Sequence, residues 1–246
     1  MYYGMFYDYY YVALVLPALI ASIIIQIKLK TTYSSYSKIG NFRGITGAQA
    51  AQMVLNYYGI TDVQIVPGRG TLTDYFDPRK KIICLSEGVY NKSSIAAVGI
   101  ACHEAGHAAQ HAEQYTPIVV RNTFVPVCNI GSRLSIPLLI IGIVVGFEPL
   151  VWVGIILFSF VALFQFLTLP VEFNASNRAI SVIESNGLLT FEEKLGATKV
   201  LKAAAMTYVA ALLVSLMQLL ECMGVSDIFF DYSESDYRQI IEYETH

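Results

Sequence analysis

The residues with the clearest capacity for chemistry are His103 and His107, which fall in the run His103-Glu104-Ala105-Gly106-His107. Positions i and i+4 of a helix lie on one face, so the two imidazoles point the same way and suit one zinc ion. Glu104, beside the first histidine, is placed to reach a water held there. Zinc acidifies such a water, and a carboxylate then takes its proton and passes it to a leaving amine. His-Glu-x-x-His is short and also arises by chance. Here, however, three of the chain's four histidines, His103, His107 and His111, recur at four-residue steps in one apolar segment. A carboxylate buried in that segment is costly without a metal or partner. The zinc reading outweighs chance.

A catalytic zinc site has three protein ligands and an open position. His111 and Glu172 are the two candidates for the third. Each four-residue step turns a helix by about 40° and advances it by about 6 Å, so three successive histidines cannot reach one ion from an unbroken helix. His111 is therefore expected beside the site or at its rim. Glu172 is preferred. It follows Pro170 in a stretch that reads as a helix start, against the bland alternative of a solvated carboxylate.

These residues need a framework. The chain has 246 residues, 55% hydrophobic and 14% charged, with a mean hydropathy of +0.52. That composition marks an integral membrane protein. A net charge of −3 gives no basis for binding nucleic acid. Four cysteines show neither metal spacing nor a disulfide framework and read as small buried hydrophobes. The first ten residues are rich in tyrosine, which suits a membrane interface. Tyr11 to Ile27 then forms an uncharged run closed by Lys28 and Lys30, read as an anchor because no basic segment precedes it and no cleavage site follows. Thr46 caps a short helix that stops near Gly59. Three short strands follow at 63–66, 70–76 and 81–86, punctuated by Pro67-Gly68 and Asp77-Pro78. Ser93 or Ser94 caps the histidine helix. An edge of the small sheet would align an extended peptide across the metal.

Beyond the histidine helix, Tyr115 to Arg133 is amphipathic. Leu134 to Val145 is apolar but only about 18 Å long as a helix. Phe147-Glu148-Pro149 turns the chain, and Leu150 to Leu169 spans comfortably. The first arm of this hairpin either spans or is re-entrant. Thr190-Phe191-Glu192-Glu193 is a capping box, and Ala203 to Met223 is the last apolar run. The division expected is an anchor over 1–30, a protease part with sheet and zinc helix over 31–133, a hairpin over 134–169, the third ligand within 170–202, a span over 203–223 and an acidic tail over 224–246. The fold class is an α-helical membrane protein of about four segments with a small α+β zinc protease core.

Eleven of the 16 Lys and Arg lie between the first span and the hairpin and four between the hairpin and the last span, against one in the tail. By the positive-inside rule both basic segments, 28–133 and 170–202, lie in the cytoplasm with both termini outside. A hairpin returns the chain to the side it left, so His103 and Glu172 can meet.

The sequence resembles the YugP-type membrane zinc metallopeptidases of bacteria. The resemblance runs through Gly44-Ile45-Thr46-Gly47-Ala48, Leu72-Thr73-Asp74-Tyr75-Phe76-Asp77-Pro78-Arg79 and Leu85-Ser86-Glu87-Gly88-Val89-Tyr90. It continues through Ala96-Ala97 to His103-Glu104-Ala105-Gly106-His107-Ala108, and through Leu169-Pro170-Val171-Glu172-Phe173-Asn174-Ala175-Ser176. It implies His103 and His107 as zinc ligands, Glu104 as catalytic base and, by analogy with gluzincins, Glu172 as third ligand. Related membrane gluzincins carry Glu-x-x-x-Asp, whose Asp orients a zinc histidine. Ser176 holds that position here, and Asn174 stands where an acid is expected. Ser176, Asn174 and a backbone carbonyl remain alternatives for that task.

The function expected is that of a multi-pass zinc endopeptidase in the bacterial cell membrane, working on the cytoplasmic side on peptides or membrane proteins. Arg178 or a tyrosine would stabilise the oxyanion. An oligomer or a regulatory membrane partner stays open. The alternative is a non-catalytic scaffold or adaptor with a structural zinc. It would need a fourth ligand such as Cys102, which points about 100° from His103 on a helix. A transporter is disfavoured because the spans lack interior charge.

Overall fold

A chain with long apolar runs satisfies its backbone within a bilayer only by coiling into helices, and six helices dominate the computed structural model. It describes Tyr9 and residues 11–244, with side chains to Gly224 and at Ser226. Most of the tyrosine-rich start and the acidic side chains of the tail lie outside the described residues. The helices are α1 (Leu16–Tyr36, preceded by a π-helical turn at Tyr11–Val15), α2 (Gly47–Tyr57), α3 (Ile95–Ala112), α4 (Thr116–Val145), α5 (Glu148–Ser185) and α6 (Phe191–Glu244). Three strands, β1 (Gln64–Pro67), β2 (Tyr75–Asp77) and β3 (Ile82–Leu85), separate α2 from α3. Four helical stretches among the described residues are long and apolar enough to cross a membrane: Tyr11–Tyr36, Thr116–Val145, Glu148–Ser185 and Phe191–Gly224. The protein is thus a mostly helical membrane protein with a small sheet.

The chain divides into two compact units. One comprises residues 1–23, 123–166 and 210–246, the other residues 24–122 and 167–209. In the first, α4 and α5 pack closely. A methyl built on Gly131 would lie 2.6 Å from the Leu157 carbonyl oxygen, and one on Gly154 2.7 Å from the Leu139 side chain. The second unit holds the larger core, built from Val54 and Leu55 of α2, Ile83 and Leu85 of β3, the buried face of α3, and Val182 and Ile183 of α5.

Local signals explain the elements of the second unit. Thr46 caps α2 by accepting from the Gln49 N–H, while the Gln49 side chain accepts from the Thr46 N–H. Gly59, at φ +66°, turns the chain after it. Ser94 caps α3 by accepting from the Ala97 N–H, and Thr190 and Glu193 cap the start of α6 reciprocally. The strand order is β1-β3-β2, with β1 parallel and β2 antiparallel to β3, so β2 is an edge.

Three expectations are corrected. The middle strand does not extend over 70–76: Gly70 at φ +95° and Leu72 at φ +56° break the extended run, and β2 begins at Tyr75. The amphipathic stretch after α3 and the short apolar arm form one helix, α4, which accommodates Pro126 and Pro137. Its 30 residues give about 45 Å, enough to span. Pro170 likewise does not precede a helix start: α5 runs through it to Ser185. A proline costs one hydrogen bond, a cost that packing in long apolar helices absorbs.

Candidate metal centre

Two helices meet to form the site. His103 and His107 occupy successive turns of α3, and Glu172 approaches from α5. The Glu172 Oε2 atom lies 3.4 Å from His103 Nε2 and 3.6 Å from His107 Nε2. The imidazole centroids are 4.7 Å apart with the rings nearly perpendicular. One ligand atom from each residue falls within 4.8 Å of the others. Bond lengths of about 2.0–2.2 Å around tetrahedral zinc put ligand atoms about 3.4 Å apart, so the donor set fits a zinc ion. All three side chains are largely buried, at 14%, 13% and 7% exposure.

Small residues bring the helices this close. Gly106 faces the backbone of Ala175, and a methyl there would lie 2.7 Å from the Ala175 carbonyl oxygen. Gly99, two turns earlier, packs on Ala197 of α6.

The outer nitrogens of both rings are held. His103 Nδ1 is 3.1 Å from Ser176 Oγ, and His107 Nδ1 is 3.0 Å from Gln110 Oε1. The buried Gln110 amide donates to the Val171 carbonyl at 2.7 Å and to Asn174 Oδ1 at 2.9 Å. A carbonyl only accepts, so the Gln110 NH₂ must face it and Gln110 Oε1 must face the ring. His107 then carries its proton on Nδ1, leaving the Nε2 lone pair toward Glu172. Asn174 Oδ1 also accepts from Arg178 Nε at 2.8 Å. Arg178 in turn pairs with Glu113 at 2.7 Å and lies over the Tyr58 and Tyr115 rings. Asn174 thus supports the site through Gln110, and Arg178 supports Asn174.

His111 sits elsewhere. Its ring packs edge-on to Phe76 at 5.9 Å and lines a different cavity with Asp62 and Lys81. Cys102 is wholly buried in the apolar core, where burial pushes its thiol upward.

Two cavities of about 190 and 210 Å³ adjoin the cluster, both lined by His103, Glu104, Glu172, Asp74 and Tyr208. The second also reaches Tyr75 and Phe76 of β2, and Arg121 of α4. Burial raises the proton affinity of Glu104, with Glu172 and Asp74 adding to the shift, while His103 and His107 act against it. Asp74 is anchored by the Ser86 N–H at 2.7 Å and hydroxyl at 3.0 Å, and its partial burial raises its pKa. Asp74, Glu104 and Glu172 put three carboxyl groups on both cavities, and the Arg121 guanidinium lines the second.

The fold and this donor set define a membrane protein with a two-histidine, one-carboxylate centre suited to zinc. Residues 11–227 match the family described as "Putative neutral zinc metallopeptidase", and the chain belongs to that family. A relative from Bacillus subtilis (strain 168), "Putative membrane protease YugP", is 46% identical over 210 residues, covering 85% of this chain and 93% of that protein. No solved structure matches the chain.

Gln110, Asp74, Arg121 and Tyr208 were not singled out from sequence. Gln110 had a signal: a lone amide within an alanine-rich helix, three residues past His107 and so on its face.

Proposed function

We propose that the protein is a zinc-dependent endopeptidase whose proton-transferring base is Glu104, acting near the cytoplasmic face of the membrane. The observation that carries this reading is the cluster of His103, His107 and Glu172 beside a cavity that Glu104 lines. Zinc, when bound by those three residues, acidifies a water and polarises a carbonyl oxygen. Glu104 removes the proton from the attacking water and delivers it to the departing amine. Its raised proton affinity suits a group that must first accept a proton and then release it. Ser176 and Gln110 keep the ring nitrogens facing the cavity. Tyr208 and Arg121 line it with an O–H and a guanidinium suited to stabilising the developing oxyanion. The free edge of β2 borders the same cavity and offers backbone partners to an extended peptide. Among the described residues no fourth protein ligand joins the cluster, which favours an open catalytic site over a closed structural one. Substrates are peptides or membrane-protein segments near the bilayer.

The test is Glu104→Gln in purified, zinc-loaded protein. Peptidase activity should fall by at least about a thousandfold with zinc content unchanged, because the amide keeps the shape but cannot accept the proton. Activity retained with full zinc would assign the base elsewhere.

A further inference from the structure

A further cavity lies apart from the metal centre. It measures about 760 Å³ and lies between α1 and the start of α6, sharing no lining residue with the two cavities at the cluster. Its walls carry three lysines, Lys28, Lys199 and Lys202, and no carboxylate. Among the described residues none of the three is in an ion pair. Lys199 and Lys202 are three residues apart and share a face of α6, opposite Lys28 of α1.

The cavity is graded along its length. At one end Ile25, Ala203 and Met206 line it. These residues belong to the apolar runs that Lys28 closes and Lys202 opens. At the other end Ser35 and Tyr36 line it, and the Tyr36 ring closes on Gly196, where a built methyl would lie 2.6 Å from the ring. The hydroxyls of Thr31 and Ser35 donate to carbonyls of their own helix, and the three lysines are the charged donors lining the cavity. Three ammonium groups at the edge of two apolar runs, with an apolar wall on one side and hydroxyls on the other, match an anionic lipid: chains against the apolar wall, phosphate among the lysines.

We propose that this cavity is a binding site for an anionic phospholipid, held by Lys28, Lys199 and Lys202. The reading is independent of catalysis at the metal centre.

The full chain, zinc-loaded in neutral detergent, is examined by native mass spectrometry. Phosphatidylglycerol or phosphatidylcholine of identical acyl chains is added, with and without excess inorganic phosphate. Phosphatidylglycerol should be retained at least about tenfold better than phosphatidylcholine. The triple change Lys28→Gln, Lys199→Gln, Lys202→Gln should remove the preference with zinc content unchanged, and the corresponding triple change to arginine should keep it. Equal retention of the two lipids by the wild type overturns the proposal, whether or not the variants fold. So does a preference that survives the glutamine changes or is lost on changing to arginine. Displacement of the lipid by phosphate would make the site one for free anions and likewise overturn it.

Discussion

At the scale of single residues, the site depends on what stands behind the imidazoles. His107 is held by an amide whose orientation is dictated by the Val171 carbonyl, whereas His103 meets a hydroxyl that can donate or accept. Gln110→Leu should therefore lower zinc affinity by about 10–100-fold, and Ser176→Ala by less. Gln110→Glu should bind zinc well, since a carboxylate still accepts from His107 Nδ1. Chelator competition measures all three, and wild-type affinity in Gln110→Leu would show that another group sets the tautomer. The same assay separates the two candidates for third ligand. Glu172→Ala should lose stoichiometric zinc and His111→Ala should retain it; the opposite result would move the ligand to His111. The departure from Glu-x-x-x-Asp has a local answer here, since Ser176 meets His103 directly and Asn174 meets Gln110.

At the scale of elements, the metal centre is a consequence of how closely α3 and α5 approach. Gly106 stands between the two ligating histidines in sequence and faces the Ala175 backbone, three residues past Glu172. Gly106→Ala should separate the helices, cost about 1–3 kcal/mol of stability and weaken zinc binding, because Glu172 moves with α5. Thermal unfolding with and without chelator reads both effects; a variant with unchanged melting and zinc content would mean that the helices shift without opening the site. Much of this level was legible in the chain, because caps and helical spacing are local: Thr46, Thr190 and the pair Ser93-Ser94, of which Ser94 is the cap, marked the helix starts. The extent of β2 was not, since alternation over 70–76 looks extended while Leu72 adopts a left-handed backbone. Leu72 also lines one of the two cavities at the cluster. The continuity of α4 and α5 through their prolines was also hidden. A proline is a local stop signal, but the packing of long apolar helices is non-local and overrides it.

At the scale of the whole molecule, the pairing of His103 with Glu172 constrains topology, because both must lie on one side of any membrane the chain crosses. The residues between them include helices α4 and α5, both long enough to span, which would supply the even number of crossings this requires. The 38 residues of α5 extend about 57 Å, well beyond the hydrocarbon thickness of about 30 Å. That leaves length for its polar second half, which carries Glu172, to stand outside the apolar layer. Charge then chooses the side. Lys and Arg concentrate in 28–133 and 170–202, while Arg238 is the one basic residue after Lys202, so those two segments should face the cytoplasm and both termini the exterior. A reducing compartment also suits Cys84 and Cys102, which are unpaired. Single cysteines introduced at Ser37, Ser185 and Ser235 in a background without other cysteines, exposed in intact cells to a membrane-impermeant thiol reagent, check this directly. Labelling is expected at position 235 alone. Labelling at 37 and 185 but not at 235 would invert the protein and place the metal centre outside the cell, where its substrates would be extracellular segments rather than cytoplasmic ones.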